Sequence, residues 1–259
     1  MTENASGTDK LRAVLVLVAT IGTISFNWLA STGNVNGITP DVIFNRYPTM
    51  ITPAKYAFAI WSLIYFGMIA FSIYQLIPAH IARFRNIRSL YILSCALNCA
   101  WIFFWHGDQI AICLAIIAAL LITLLLINLQ LRNTESTGEM WAAKMPFGIY
   151  FGWVTAVTLV NFAAVLVYLN VQMSQAAATA VGIALILFAA AAGVLIRIKF
   201  SNYFYPLAIA WALTAIAVRQ SGQTLIVTAA AVGVVACLIA SLSFVVNLSP
   251  SETRTSNEV

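Results

Sequence analysis

Eight long apolar stretches, almost free of charge, run in succession along this chain, and they leave one kind of fold open to it. A soluble domain covers its core with a polar shell. Here charged residues make up 8% of the 259, and nearly all fall between the stretches or at the two ends. They are too few to build such a shell. A helix crosses the hydrocarbon core of a bilayer with about 20 apolar residues. The stretches lie at about 11–31, 54–78, 88–106, 110–131, 146–169, 175–197, 203–219 and 224–247. They are continuous and rich in Ala and Leu, which indicates helices, whereas a transmembrane barrel alternates over about 10 residues. The expected fold is all-α, a polytopic membrane helical bundle of eight spans. The seventh span is short and carries Pro206 near its start.

The first apolar run follows Lys10 and Arg12. That order mimics a signal peptide, but the run at 11–31 outlasts a signal peptide's apolar core of roughly 7–15 residues. Ala30, Ser31 and Thr32 make an imperfect cleavage site, so a retained first helix is expected.

Lys and Arg concentrate on the cytoplasmic side of membrane proteins. With eight spans, Lys10, Arg12, Arg83, Arg85, Arg88, Arg132, Lys144, Arg197, Lys199 and Arg254 share one side, and Arg46, Lys55 and Arg219 the other. Both termini are therefore expected in the cytoplasm, and the expected location is a bacterial plasma membrane. The bias supports an even number of crossings, because a missing span would scramble it. It also accounts for the net charge of +5. No basic cluster with interleaved aromatics lies outside the apolar runs, so nucleic acid is not an expected partner.

Cys95, Cys99, Cys113 and Cys237 all fall inside apolar stretches. Cys95 and Cys99 share a helix face, but no further Cys or His completes a metal site. They read as small buried residues.

The first inter-helix loop, about Gly33 to Pro53, is the only long one. Its Gly, Asn and Pro residues cannot continue a helix. A loop of that length is either a binding lid or a plain connector. Near residue 170 the chain changes character. Earlier spans carry Trp, Tyr, Asn and Phe; the sixth and eighth are nearly all small or aliphatic, which suits close helix packing. The expected division is a five-helix membrane domain over 1–170, a three-helix extension over 171–248 and a polar tail over 249–259.

Recognition chemistry sits in three spans. The second opens with Thr52-Pro53-Ala54-Lys55-Tyr56 and continues with Phe58, Trp61 and Tyr65 at spacings that share one face. The third gives Asn98, Trp101 and Trp105; the fifth gives Pro146, Tyr150, Trp153, Val157 and Asn161. An Asn in an apolar span needs a hydrogen-bond partner. Asn98 and Asn161 can pair with each other or with backbone carbonyls, clamping helices, or they can contact a ligand. Trp105 and Trp141 fit an interfacial belt. Trp61, Trp101 and Trp153 lie deeper and suit an internal pocket for a flat apolar molecule.

The run from Pro53 through Phe58, Trp61 and Tyr65 resembles the tryptophan-rich sensory protein family, also called TspO or the translocator protein. So do Ala96-Leu97-Asn98-Cys99-Ala100-Trp101-Ile102-Phe103-Phe104 and Pro146-Phe147-Gly148-Ile149-Tyr150 followed by Trp153, Thr158, Leu159, Val160 and Asn161. The resemblance covers about residues 11–169. It implies a five-helix bundle with a pocket toward one end, covered by the first loop. It also implies binding of tetrapyrroles, such as porphyrin or haem, or of sterol-like apolar molecules. Carried over by position, the ligand-binding residues are Tyr56, Phe58, Trp61, Tyr65, Asn98, Trp101, Tyr150 and Trp153, with Asn161 matching a motif position. The family's Trp-x-Pro-Pro run before the second helix is replaced by Met50-Ile51-Thr52-Pro53-Ala54, so the lid is expected to differ. A sterol motif after the fifth span fails, because no basic residue follows Leu166 and Tyr168.

No phosphate loop, nucleophile elbow or redox pair is present. His80 reads as a loop residue, and His106 with Asp108 as a solvated turn. The chain is expected to be neither an enzyme nor the holder of a cofactor. Its expected role is binding or sensing of an apolar small molecule in the lipid bilayer, with transport or a receptor role as the consequence and a homodimer as a further expectation. The alternatives are an uncoupled small-solute transporter and a regulatory membrane protein acting through a partner.

Overall fold

The computed structural model describes residues 7–134 and 136–246. The polar tail expected at 249–259, with Arg254, lies outside them. Helices make up the fold: α1 (Gly7–Ser31), α2 (Pro40–Arg46) within the first loop, α3 (Ile60–Tyr74), α4 (Arg85–His106), α5 (Ile110–Gln130), α6 (Thr137–Glu139), α7 (Met145–Tyr168), α8 (Gln175–Phe200), α9 (Phe204–Arg219) and α10 (Thr224–Val246). Among the described residues there is no strand.

Among the described residues seven helical segments are long and apolar enough to cross a membrane, and the shorter α9 stands where the seventh span was expected. It has 16 residues. At 1.5 Å per residue that is about 24 Å, short of the ~30 Å of hydrocarbon. It still runs from one end of the bundle to the other. Asn202, just before it, donates to Asn128 Oδ1 at 2.9 Å, and Arg219, its last residue, donates to Asn45 of the first loop at 3.0 Å. Packing against α7, α8 and α10 buries Tyr205, Ala208, Ile209, Ala212, Leu213 and Ile216, so only a narrow stripe of this short helix faces outward.

Two boundaries differ from the sequence expectation for local reasons. The fifth apolar stretch is helical from Thr137, well before Pro146. Ser136 caps it by accepting from the Glu139 N–H at 3.1 Å. A π turn at Met140–Lys144 then precedes the proline, and this wider turn accommodates the backbone bond that Pro146 cannot donate. The second stretch ends at Tyr74 rather than 78. Ile77, held extended ahead of Pro78, stops helical geometry.

Inside lipid every polar group needs an internal partner. On α1, Thr20 and Asn27 meet α3 and α4: Thr20 Oγ1 bonds Ser72 Oγ at 2.6 Å and Tyr91 OH, while Asn27 reaches Asn98. Arg88 of α4 is fully buried and donates to Gln75 Oε1 at 2.8 Å; Gln75 Nε2 donates in turn to the Ala13 carbonyl at 2.9 Å. Charges segregate by end. Arg46, Lys55 and Arg219 lie at the end that carries α2. At the other end Arg83 pairs with Glu139, Arg85 with Asp9, and Lys144 donates to the Arg132 carbonyl.

The C-terminal helices are joined to the first loop and α7. The Ala54 N–H donates to the Ala215 carbonyl, and Trp211 Nε1 to the Ala57 carbonyl, both at 2.9 Å. Tyr205 OH donates to Thr155 Oγ1 at 2.9 Å.

Candidate ligand-binding site

Near the α2 end, a cavity of about 290 Å³ opens among α1, α3 and α4. Its aromatic walls follow from helical spacing. Trp61 and Tyr65, four apart on α3, stack with centroids 5.6 Å apart and planes 23° from parallel. Trp101 and Trp105, four apart on α4, stack at 5.3 Å and 25°. Trp61, Tyr65, Trp101 and Phe58 line the cavity, with Asn27 and Ser31 contributed by α1. Pro40 of α2 forms part of the roof, and Lys55, at the foot of α3, stands at the rim.

A second layer holds the first in place. Trp153 meets Phe58 edge to face at 6.0 Å and Trp61 at 6.4 Å; Tyr150 meets Trp61 at 5.9 Å. Asn98 accepts from Asn27 Nδ2 at 2.8 Å and donates to Tyr150 OH at 3.0 Å. Among the described residues the indole nitrogens of Trp101 and Trp153 find no hydrogen-bond partner.

The structure therefore gathers seven of the nine positions selected from sequence: Phe58, Trp61, Tyr65 and Trp101 in the wall, Asn98, Tyr150 and Trp153 behind it. Tyr56 turns away and packs edge to face on Trp211 at 5.4 Å. Asn161 lines no described cavity and does not pair with Asn98; it is fully buried with both amide atoms unpartnered. Trp105 is not a belt residue. It is wholly buried, packs on Phe44 at 4.6 Å and donates to the Pro40 carbonyl at 3.3 Å. Trp141, by contrast, is 55% exposed, as a belt residue would be. Sequence reasoning missed Asn27 and Ser62 in the wall. The signal for Asn27 was present, an amide inside the first apolar stretch.

The first loop is tied down over this end. Asp108, in the turn after α4 with φ of 58°, accepts from Arg46 Nη1 at 2.6 Å and from Tyr47 OH at 3.0 Å. It pairs with these loop residues and not with His106, which is buried with Nδ1 on the Ile102 carbonyl at 2.8 Å. The Asp108 carboxylate holds the Arg46 guanidinium above its ordinary pKa. Burial, and then the same carboxylate, push the Tyr47 phenol up. Asn36, in left-handed backbone geometry, donates to the His106 carbonyl at 3.1 Å.

A family described as TSPO-like protein matches residues 13–244. The chain belongs to that family. No curated protein and no solved structure matches it. As a TSPO-like protein it is a multi-pass membrane protein of the TspO type, built as a helical bundle. The match runs past the aromatic motifs and through α8, α9 and most of α10.

Proposed function

We propose that this TSPO-like protein binds a flat apolar molecule of the tetrapyrrole or sterol-like class among α1, α3 and α4, with sensing or movement of that molecule as the consequence. The observation that carries this reading is that Trp61, Tyr65 and Trp101 line one cavity, with Trp61 stacked on Tyr65 and Trp101 backed by the buried Trp105. Indole and phenol faces stack on a planar ring system and bury large apolar areas. Tetrapyrroles add carboxylates, and Lys55 supplies a cation at the rim. That combination favours a tetrapyrrole over a neutral sterol.

Size adds a condition. The cavity, about 290 Å³, falls just below the ~300–1,000 Å³ range of small-molecule sites. A four-ring macrocycle enters only when the loop bearing α2 lifts, so the Arg46–Asp108–Tyr47 cluster acts as the latch.

The test is quenching of Trp fluorescence by protoporphyrin on the detergent-solubilised full chain. Trp61→Ala and Trp101→Ala each weaken binding roughly tenfold, the scale of about 1.4 kcal/mol of lost ring contact. Tyr56→Ala leaves it unchanged. Wild-type affinity in both Trp variants would remove this pocket as the site. Protoporphyrin uptake into proteoliposomes would extend the reading from binding to transport.

A further inference from the structure

A second, larger cavity of about 350 Å³ lies at the same end of the bundle, between α7 and α8, and shares no lining residue with the aromatic one. We propose that it binds a single-chain amphiphile with a carboxylate head, a long-chain fatty carboxylate. This inference does not rest on the tetrapyrrole reading.

The cavity is divided by chemistry. Its inner walls are aliphatic, with Leu166 and Val167 from α7 and Val181 and Leu185 from α8. Its outer end is polar and cationic, built from Arg219, Gln220 and Gln223 where α9 stops. Among the described residues no acidic side chain lines it. Among the described residues no carboxylate ion-pairs with Arg219, whose Nη2 donates to the neutral Asn45 Oδ1 at 3.0 Å. A guanidinium held this way keeps further N–H donors, and its planar fork matches a carboxylate.

Dimensions select the tail. From Ala178 to Leu185 the α8 wall rises about 10 Å. Val167, Val181 and Leu185 are only half-buried, so the cavity opens at the outer surface of the bundle. One acyl chain can run along that wall and continue outward, and a volume of about 350 Å³ does not hold the two chains of a phospholipid.

The first loop supplies the remaining wall through Met50, Ile51 and Thr52. This is the stretch that departs from the family's Trp-x-Pro-Pro run. A Cβ added to Gly182 would stand 2.8 Å from Met50 Cβ, so the loop lies directly on the α8 backbone there. Gln220 Nε2 fixes it further by donating to the Thr49 carbonyl at 2.9 Å. The residues that replace the family motif thus serve a cavity that exists only because α8 and α9 are present.

Binding of hexadecanoate to the full chain in an uncharged detergent tests the site, with stoichiometry read by native mass spectrometry and affinity by titration. The expected result is one molecule per chain, with methyl hexadecanoate at least tenfold weaker. Arg219→Gln weakens hexadecanoate binding about tenfold, and Ala178→Phe, which fills the cavity, abolishes it. Trp61→Ala, in the other cavity, leaves it intact. Arg219→Gln alters only an exposed side chain and so serves even if Ala178→Phe does not fold. Equal affinity for acid and ester, or wild-type binding in Arg219→Gln, overturns the proposal. Displacement of hexadecanoate by an equimolar two-chain anionic phospholipid overturns the single-chain assignment.

Discussion

Asn27 of α1 donates from Nδ2 to Asn98 Oδ1 of α4 at 2.8 Å, and this bond joins the wall of the aromatic cavity to the layer behind it. Asn98 passes the connection on to Tyr150 of α7, so three helices meet at one amide. In Asn98→Ala the Tyr150 hydroxyl loses its partner inside an apolar bundle, and Asn27 Nδ2 keeps only the Thr23 carbonyl. Membrane hydrogen bonds average about 0.6 kcal/mol with a maximum near 1.7, and a buried group left unsatisfied costs about 1–3 kcal/mol. The expected loss is therefore about 1–3 kcal/mol, measured as a lower thermal midpoint in detergent, together with weaker protoporphyrin quenching. A midpoint equal to wild type would mean that the three-helix connection contributes nothing.

Arg46→Ala separates fastening of the loop from stability. The Arg46 side chain lies in water, and its bond to Asp108 spans two surface segments rather than two core helices. Exposed pairs contribute little to folding. They do hold one geometry of a loop against another. In stopped-flow quenching, both association and dissociation of protoporphyrin should speed up several-fold while the thermal midpoint stays put. Tyr47→Phe, which removes the second bond to Asp108, should act in the same direction. Unchanged rates in both variants would show that the loop does not limit entry.

The aromatic faces were legible because they are local. Spacings of three and four bring Trp61 onto Tyr65 and Trp101 onto Trp105 whatever else the chain does. What covers those faces was not legible. Trp105 sits near a helix end, where sequence logic assigns it to the membrane interface. The residues that bury it belong to α2, a seven-residue helix in a loop. The start of the fifth apolar segment was hidden for a different reason. Pro146 normally opens a helix, and nothing in the periodicity signals the π turn that lets helix continue through it. Asn161 matched a motif position and lies on the right helix, yet it faces away from every partner that pairing logic offered. The cavity beside Arg219 depends on the end of α9 meeting the first loop, a contact between residues 45 and 219 that no local pattern encodes.

The two tryptophans assigned alike from sequence should part company in experiment. Trp105 is entirely buried, stacked on Trp101 and packed on Phe44. Truncating a buried aromatic to Ala costs about 3–5 kcal/mol, and Trp105→Ala also frees the Pro40 carbonyl from its indole bond. Trp141 faces outward with one ring contact to Phe204 at 5.8 Å, so Trp141→Ala should change stability by about 0.5 kcal/mol or less. Chemical unfolding of both variants in one detergent checks the contrast. Equal losses would return Trp105 to the interface.

The backbones of α7 and α9 approach closely at Gly152. A Cβ placed on Gly152 would stand 2.5 Å from the Tyr205 carbonyl oxygen and 2.9 Å from Ala208 Cβ. The first of these is backbone, so it cannot swing aside; α9 has to move. Overpacking of this kind costs about 1–3 kcal/mol. In lipid, helix association depends on small residues that let backbones meet. Gly152→Ala should therefore lower the thermal midpoint even though Ala is the better helix former by about 1 kcal/mol. Gly22→Ala is the matched control, since nothing lies within 4 Å of its added methyl, and it should raise the midpoint or leave it unchanged. If Gly152→Ala behaves like Gly22→Ala, α9 does not lie against α7 at this distance, and the Tyr205–Thr155 bond at 2.9 Å loses its support.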